Sequence, residues 1–319
     1  MSFRRLFVLA ATCLTFAAQA QDYPNRPVRI VVPFPAGGTT DIITRALAQK
    51  LSEEWKQPVV VDNRPGGGAN IGAEHAVRSA PDGYTLLMAS TAHSINATLY
   101  PKMTYDPLKD FTPLTLVAET AQVLVVHPSV PANTTRELIQ YLKTTSAPVS
   151  YSSAGNGSQP HLSAEMFKTM SDTKMLHVPY KGGPQAMTDL VAGHVQVSLA
   201  TAPSAVPFIK SGRIKALGVS SRQRIPALPE VPTINDSGLP GYEASGFFGL
   251  VGPANLPPAI AAKIHTAVVR IVKEPAMSKY LSEQGADAYT SSQAEYAAFL
   301  RDEVAKWGKV VKETGAKID

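Results

Sequence analysis

The side chains most able to do chemistry in this chain are seven histidines, and they are scattered: His75, His93, His127, His161, His177, His194 and His265. No two of them share a helix face at metal-ligand spacing, and there is no H-E-x-x-H. The single cysteine is Cys13, so a thiolate zinc or iron–sulfur centre is excluded. A nucleophile elbow is missing as well. The nearest text, Gly155-Asn156-Gly157-Ser158, has its serine out of register, and Gly66-Gly67-Gly68 with Gly72 spells neither a dinucleotide fingerprint nor a Walker A loop. An enzyme is the minority expectation, and no cofactor or metal is expected.

What the spacing does offer is a place for an anion. The first turn of a helix leaves backbone N–H groups unpaired at the positive end of the helix dipole. Gly37 and Gly38 would let that backbone approach a ligand, and Thr39 and Thr40 would add hydroxyl donors. Asp41 competes with an anion, so its expected role is to stabilise the turn. A second junction runs from Ala154 to Ser158, with His161 one turn on and Ser158 placed to cap the helix. Ordinary turns also put glycine between strand and helix, and on the residues alone both readings stay open.

These junctions need strands and helices to hold them. Val28 to Phe34 is a short β-branched run, broken by Pro35-Ala36-Gly37-Gly38, and Ile42, Ile43, Ala46, Leu47 and Leu51 then recur at helical spacing up to Trp55. Strands are expected at 58–62 and 84–90, with a helix over 69–79 between them. The alternation restarts with strands at 122–127, 149–153, 176–180, 195–201 and 214–220, and a last one at 247–251. Thr134 with Glu137, and Ser292 with Glu295, read as helix-capping boxes, and Pro257-Pro258 opens a further helix. Two α/β lobes of similar plan are expected, with a ligand at the carboxyl ends of their strands.

Composition supports a folded, exported protein. Of 319 residues, 44% are hydrophobic and 17% charged, enough apolar content for a large core. A mean hydropathy of −0.03 excludes a multi-span membrane protein. Arg4 and Arg5, the apolar run from Leu6 to Ala18 and Ala18-Gln19-Ala20 read as a signal peptide over residues 1–20, cut before Gln21. The apolar run is too short to span a bilayer core of roughly 30 Å. Thr12 before Cys13 argues against a lipid anchor. Cutting there removes Cys13 and lowers the formal charge from +5 to +3, too little to suggest nucleic acid. A mature chain without thiols suits the oxidising bacterial periplasm.

The chain also carries a series of recognisable segments. They are Pro33-Phe34-Pro35-Ala36-Gly37-Gly38-Thr39-Thr40-Asp41, Val61-Asp62-Asn63-Arg64-Pro65-Gly66-Gly67-Gly68, Ala80-Pro81-Asp82-Gly83-Tyr84-Thr85, Val178-Pro179-Tyr180-Lys181-Gly182 and Pro229-Glu230-Val231-Pro232-Thr233. In this order, over nearly the whole mature chain, they resemble the Bug family, the periplasmic substrate-binding proteins of tripartite tricarboxylate transporters. The resemblance implies an α/β, type II periplasmic-binding-protein fold whose two lobes close on a small organic acid. Lobe one would comprise residues 22–122 and 246–319, and lobe two residues 123–245.

The resemblance also implies ligand contacts. In lobe one these are Phe34, Gly38, Thr39, Thr40 and Asp41, with Ser90, Thr91 and His93. In lobe two they are Ala154, Gly155, Gly157, Ser158 and His161, with Tyr180 and Thr201. Two departures bear on the ligand. Leu199-Ala200-Thr201-Ala202-Pro203 lacks the acidic residue that many relatives place near Thr201, which disfavours an amino acid and leaves a mono- or dicarboxylate. Gly246-Phe247-Phe248 replaces a tryptophan-containing segment, leaving room for an aromatic acid. The implied partners are membrane transporter subunits, with the protein itself a monomer. A sensor that presents its closed form to a receptor would use the same pocket.

Overall fold

The computed structural model describes residues 23–318. The signal-peptide reading of residues 1–20 lies outside the described residues. The chain begins with β1 (Val28–Val32), α1 (Thr39–Trp55), β2 (Val59–Asn63), α2 (Asn70–Val77), β3 (Thr85–Ser90), α3 (Thr91–Leu99) and β4 (Phe111–Thr120). Next come β5 (Gln122–Val126), α4 (Thr135–Thr144), β6 (Ser150–Ser153), α5 (Gln159–Ser171), β7 (Leu176–Pro179) and α6 (Gly183–Val191). They are followed by β8 (Val197–Thr201), α7 (Ala202–Lys210), β9 (Lys215–Val219) and the short α8 (Ile234–Ser237). The chain ends with β10 (Gly246–Pro253), α9 (Pro258–Lys273), α10 (Pro275–Glu283), β11 (Ala286–Ala288) and α11 (Gln293–Thr314).

These strands make two sheets, ordered β11-β4-β10-β3-β1-β2 and β7-β6-β8-β5-β9. In the first, β1 lies parallel between β2 and β3, while β10 runs antiparallel to β3 and β4. A central strand of this kind is covered on both faces, so beyond the exposed Arg29 near its start its sequence is a continuous apolar run, Ile30 to Val32, rather than alternating. Ile30 and Val32 pack with Leu47, Leu86 and Ile264, while Val31 packs on the other face with Leu87, Phe247 and Leu300. The chain crosses from one sheet to the other at Ala121, between β4 and β5, and returns before Gly246. The described chain thus forms the two-lobed α/β fold expected.

Two helices tie the lobes together. Ile95 and Leu99 of α3, and Trp307 and Val311 of α11, are buried in the same cluster as Leu124, Leu162, Phe167 and Val197 around the second sheet. These helices pack on each other. Their chain neighbours belong to the first sheet, so the packing of their ends was not visible in the sequence.

Candidate functional site

The starts of α1, α3, α5, α6 and α7 converge on one cavity between the lobes. Gly38, Ser90, Ser158, Gly182 and Thr201 hold the five N-cap positions, and all but Gly182 line the cavity. No residue in its wall carries a formal charge: threonines, serines, Gln159, glycines and apolar side chains make it up. The cavity volume is ≈ 60 Å³. At about 10–15 Å³ per water this is room for roughly four to six water-sized groups, which suits a compact ligand.

On the lobe-one side, Phe34, Gly38, Thr39, Thr40, Ser90 and Thr91 line the cavity. Gly37 has φ +78 and Gly38 closes the loop with a long bond to the Pro35 carbonyl (3.4 Å). The helix then starts with Ile42 N–H donating to Gly38 O at 3.0 Å, which leaves the amides of Thr39, Thr40 and Asp41 ahead of the first turn's bonds.

Asp41 does not line the cavity. Its carboxylate accepts from Gly37 N–H, Arg45 Nε and Asn63 Nδ2, each at 2.9 Å, and Asn63 also donates to the Phe34 carbonyl at 3.1 Å. Asp41 and Asn63 therefore brace the loop from behind, which fits the structural role expected of Asp41. Burial pushes the Asp41 carboxyl up, but hydrogen bonds from Arg45, Gly37 and Asn63 outweigh it, and the group titrates below its ordinary 3.8. Its stabilisation is thus complete above that ordinary value and is lost as pH falls through the lower folded value. Asp41→Ala should cost about 2 kcal/mol at neutral pH, as expected for charge-assisted hydrogen bonds. In acid denaturation series the gap from wild type should narrow below pH 3.8.

His93 also faces away. It is buried, with Nε2 2.9 Å from the Pro107 carbonyl and its ring against Tyr105 and Phe111. Burial, offset only in part by that carbonyl, pushes its pKa down to about 4, so it is a neutral core residue.

In lobe two, Ala154, Ser158 and Thr201 line the cavity, while Gly155, Gly157, His161 and Tyr180 do not. Gly155 (φ +114) donates its N–H to Ser153 Oγ at 3.1 Å, and Gly157 (φ +78) donates to His161 Nδ1 at 3.3 Å. His161 stacks on His177 with ring centroids 4.2 Å apart, and His177 Nε2 lies 2.7 Å from Ser153 Oγ. The histidine pair thus supports the loop from beneath. Tyr180 is turned to Asp189, donating at 2.6 Å, and burial together with that carboxylate pushes its pKa up to about 12.

Ser158 needs a correction. It occupies the N-cap position but its side chain does not cap α5; the hydroxyl donates backwards to Gly155 O at 2.6 Å. Aspartate is therefore no neutral exchange here. Ser158→Asp should lower the apo protein's stability by about 1–3 kcal/mol, since it loses a buried donor and sets a carboxylate against a carbonyl. A urea titration checks it.

Several lining residues escaped the sequence reading, Ser204 of α7, Ala186 and Met187 of α6, and Ser198, while Phe248 of β10 comes from the Gly246-Phe247-Phe248 segment singled out above. Phe248 stands beside Ser90 in the sheet register. Ser204 completes a ring of hydroxyls across the cleft, with Thr39 Oγ1 2.6 Å from Thr201 Oγ1 and 2.9 Å from Ser204 Oγ, and Thr201 and Ser204 3.0 Å apart. Tyr100 of lobe one donates to Asn156 O of lobe two at 3.2 Å. The cleft is closed.

Two α/β lobes shut on a small uncharged cavity ringed by helix starts define a type II periplasmic-binding-protein architecture, a class that holds solutes between its lobes. Within it, the family model for the tripartite tricarboxylate transporter family receptor matches residues 43–316, and the chain belongs to that family. BugT of Bordetella pertussis is 33% identical over 312 residues, covering 97% of this chain and 96% of BugT. Among solved structures, Rpa4515 of R. palustris, with adipate, is 35% identical with a TM-score of 0.91, covering 93% of this chain and 100% of that one. MatC (Rpa3494) of Rhodopseudomonas palustris, with bound malate, is 30% identical with a TM-score of 0.85, covering 91% of this chain and 100% of that one.

Proposed function

We propose that the protein is a periplasmic receptor that captures a small organic carboxylate and hands it to the membrane subunits of a tripartite transporter, acting as a monomer and returning the ligand unchanged. One observation carries this reading: an uncharged cavity ringed by helix starts, whose donors include the first-turn amides of α1 and α3 and the hydroxyls of Thr40 and Ser90. Neutral dipoles fixed at helix starts suit an anion that must be both bound and released. The adipate and malate held by Rpa4515 and MatC agree with a carboxylate. The leader over residues 1–20 would deliver the chain to the periplasm, and among the described residues no helix is long and apolar enough to cross a membrane. We place the hinge where the chain crosses between the lobes, at Ala121 and near Ser245, with the lobes bounded as the sequence suggests. A thermal-shift screen of organic acids tests the reading. A ligand at 100-fold over its Kd adds roughly 2.7 kcal/mol of stability. A screen in which no carboxylate raises the melting temperature, or in which a stabilising acid is chemically turned over, defeats it.

A further inference from the structure

The two sides of the cavity differ in what they can donate. On the lobe-two side, α5, α6 and α7 each carry proline as their second residue, Pro160, Pro184 and Pro203, so each helix start lacks one N–H. Four neighbouring amides are committed, Gly155 to Ser153 Oγ, Gly157 to His161, Ser158 to Gly155 O and Ala202 to Ala121 O, which leaves the first N–H of α5 at Gln159 and of α6 at Gly183. The hydroxyls are committed too. Ser158 donates to Gly155 O, Ser198 to Ser152 O, and Thr201 and Ser204 close their ring with Thr39. What lobe two turns to the cavity beyond these is Gly183, Ser153 with its hydroxyl held between Gly155 N–H and His177, Gln159 with its side-chain amide donating to Ala244 O, and the apolar Ala154, Pro160, Ala186, Met187 and Ala200.

Lobe one is the opposite case. Neither α1 nor α3 has proline in its first turn. Thr40 and Ser90 are 5% and 8% exposed, line the cavity, and their hydroxyls make no hydrogen bond among the described residues. Phe34 and Phe248 stand beside them.

Resting on the carboxylate reading above, we infer that the ligand is a monocarboxylate with an apolar body: lobe one takes the carboxylate at Thr40, Ser90 and the adjoining helix starts, and lobe two closes over the body as a donor-poor, apolar lid. A second carboxylate would be carried into that lid with no cation, no uncommitted hydroxyl and only the isolated N–H groups of Gln159 and Gly183 to replace its water.

Isothermal calorimetry on the mature wild-type protein tests this with matched probes: the straight-chain acids from butanoate to octanoate and benzoate, their α,ω-diacids and terephthalate, and the corresponding primary amides. The expected result is that the tightest monoacid binds at least ~10-fold better than its diacid, a difference of about 1.4 kcal/mol, and that its amide binds more weakly still. A diacid binding as tightly as its monoacid, with the amides weak, overturns the inference and leaves the carboxylate reading standing. Amides that match their acids overturn both, and a panel in which neither acid series binds overturns the inference alone, the carboxylate reading being decided by the wider thermal-shift screen.

Discussion

Gly182→Ala will leave the apo protein folded and weaken ligand binding about five- to a hundredfold, equivalent to about 1–3 kcal/mol of overpacking in a close contact. Gly182 is the N-cap of α6 with φ 172, extended backbone that any residue adopts, so alanine meets no conformational penalty. Its Cβ would instead lie 2.7 Å from Cδ and Cγ of Pro35, which belongs to the other lobe. The clash exists only while the cleft is shut. The open form therefore tolerates the methyl, and the cost falls on closure, which lowers apparent affinity by the fraction of competent molecules lost. Small-angle scattering with saturating ligand should show a smaller shrinkage than in wild type, and Gly182→Val should exaggerate both effects. Unchanged affinity together with unchanged compaction would show that these surfaces do not meet in the liganded state.

Thr40→Asp should remove binding almost completely, by at least ~100-fold. Thr40 is the second residue of α1, where an acidic side chain favours the helix dipole by about 0.3–1 kcal/mol, so the apo melting temperature should hold or rise slightly. The ligand meets a different balance. A carboxylate roughly 4 Å from another at an effective dielectric of about 20 costs on the order of 4 kcal/mol before relaxation, and the new side chain would take up donors meant for the ligand. Thr40→Asn keeps the size without the charge and is the control. Equal affinity of the Asp and Asn variants would place the bound anion elsewhere.

Much of this framework is local in the sequence, and the parts that are local were legible. β1 is a β-branched run because it is buried on both faces, and the capping box of α11 appears as read, with Ser292 Oγ accepting from Glu295 N–H at 3.2 Å and Glu295 Oε2 accepting from Ser292 N–H at 2.8 Å. The Gly37-Gly38-Thr39-Thr40 junction is local in the same sense: strand, glycine loop and helix start are contiguous.

What escaped was set by distant packing. α3 is buried on nearly all sides and so shows no amphipathic period, and α7 hides behind Pro203 and Pro207. The cavity wall made by Ala186, Met187 and Ser204 is brought against lobe one by the closure of two sheets, which no short window of sequence records. Resemblance to a family also carries positions more faithfully than directions. His93 and His161 sit on helices whose starts line the cavity, and Tyr180 on the turn leading into a third, yet their side chains turn to Pro107, to the Gly157 amide and to Asp189.

The most direct measurement is a crystal structure of the protein with the tightest monoacid from the calorimetric series. The expected result is a closed cleft with the carboxylate oxygens about 2.7–3.2 Å from amides at the start of α1 or α3 and from the hydroxyls of Thr40 and Ser90, and with the apolar body against Phe34, Met187 and Phe248. A carboxylate held by lobe-two groups, by an arginine or lysine, or outside this cavity would contradict it.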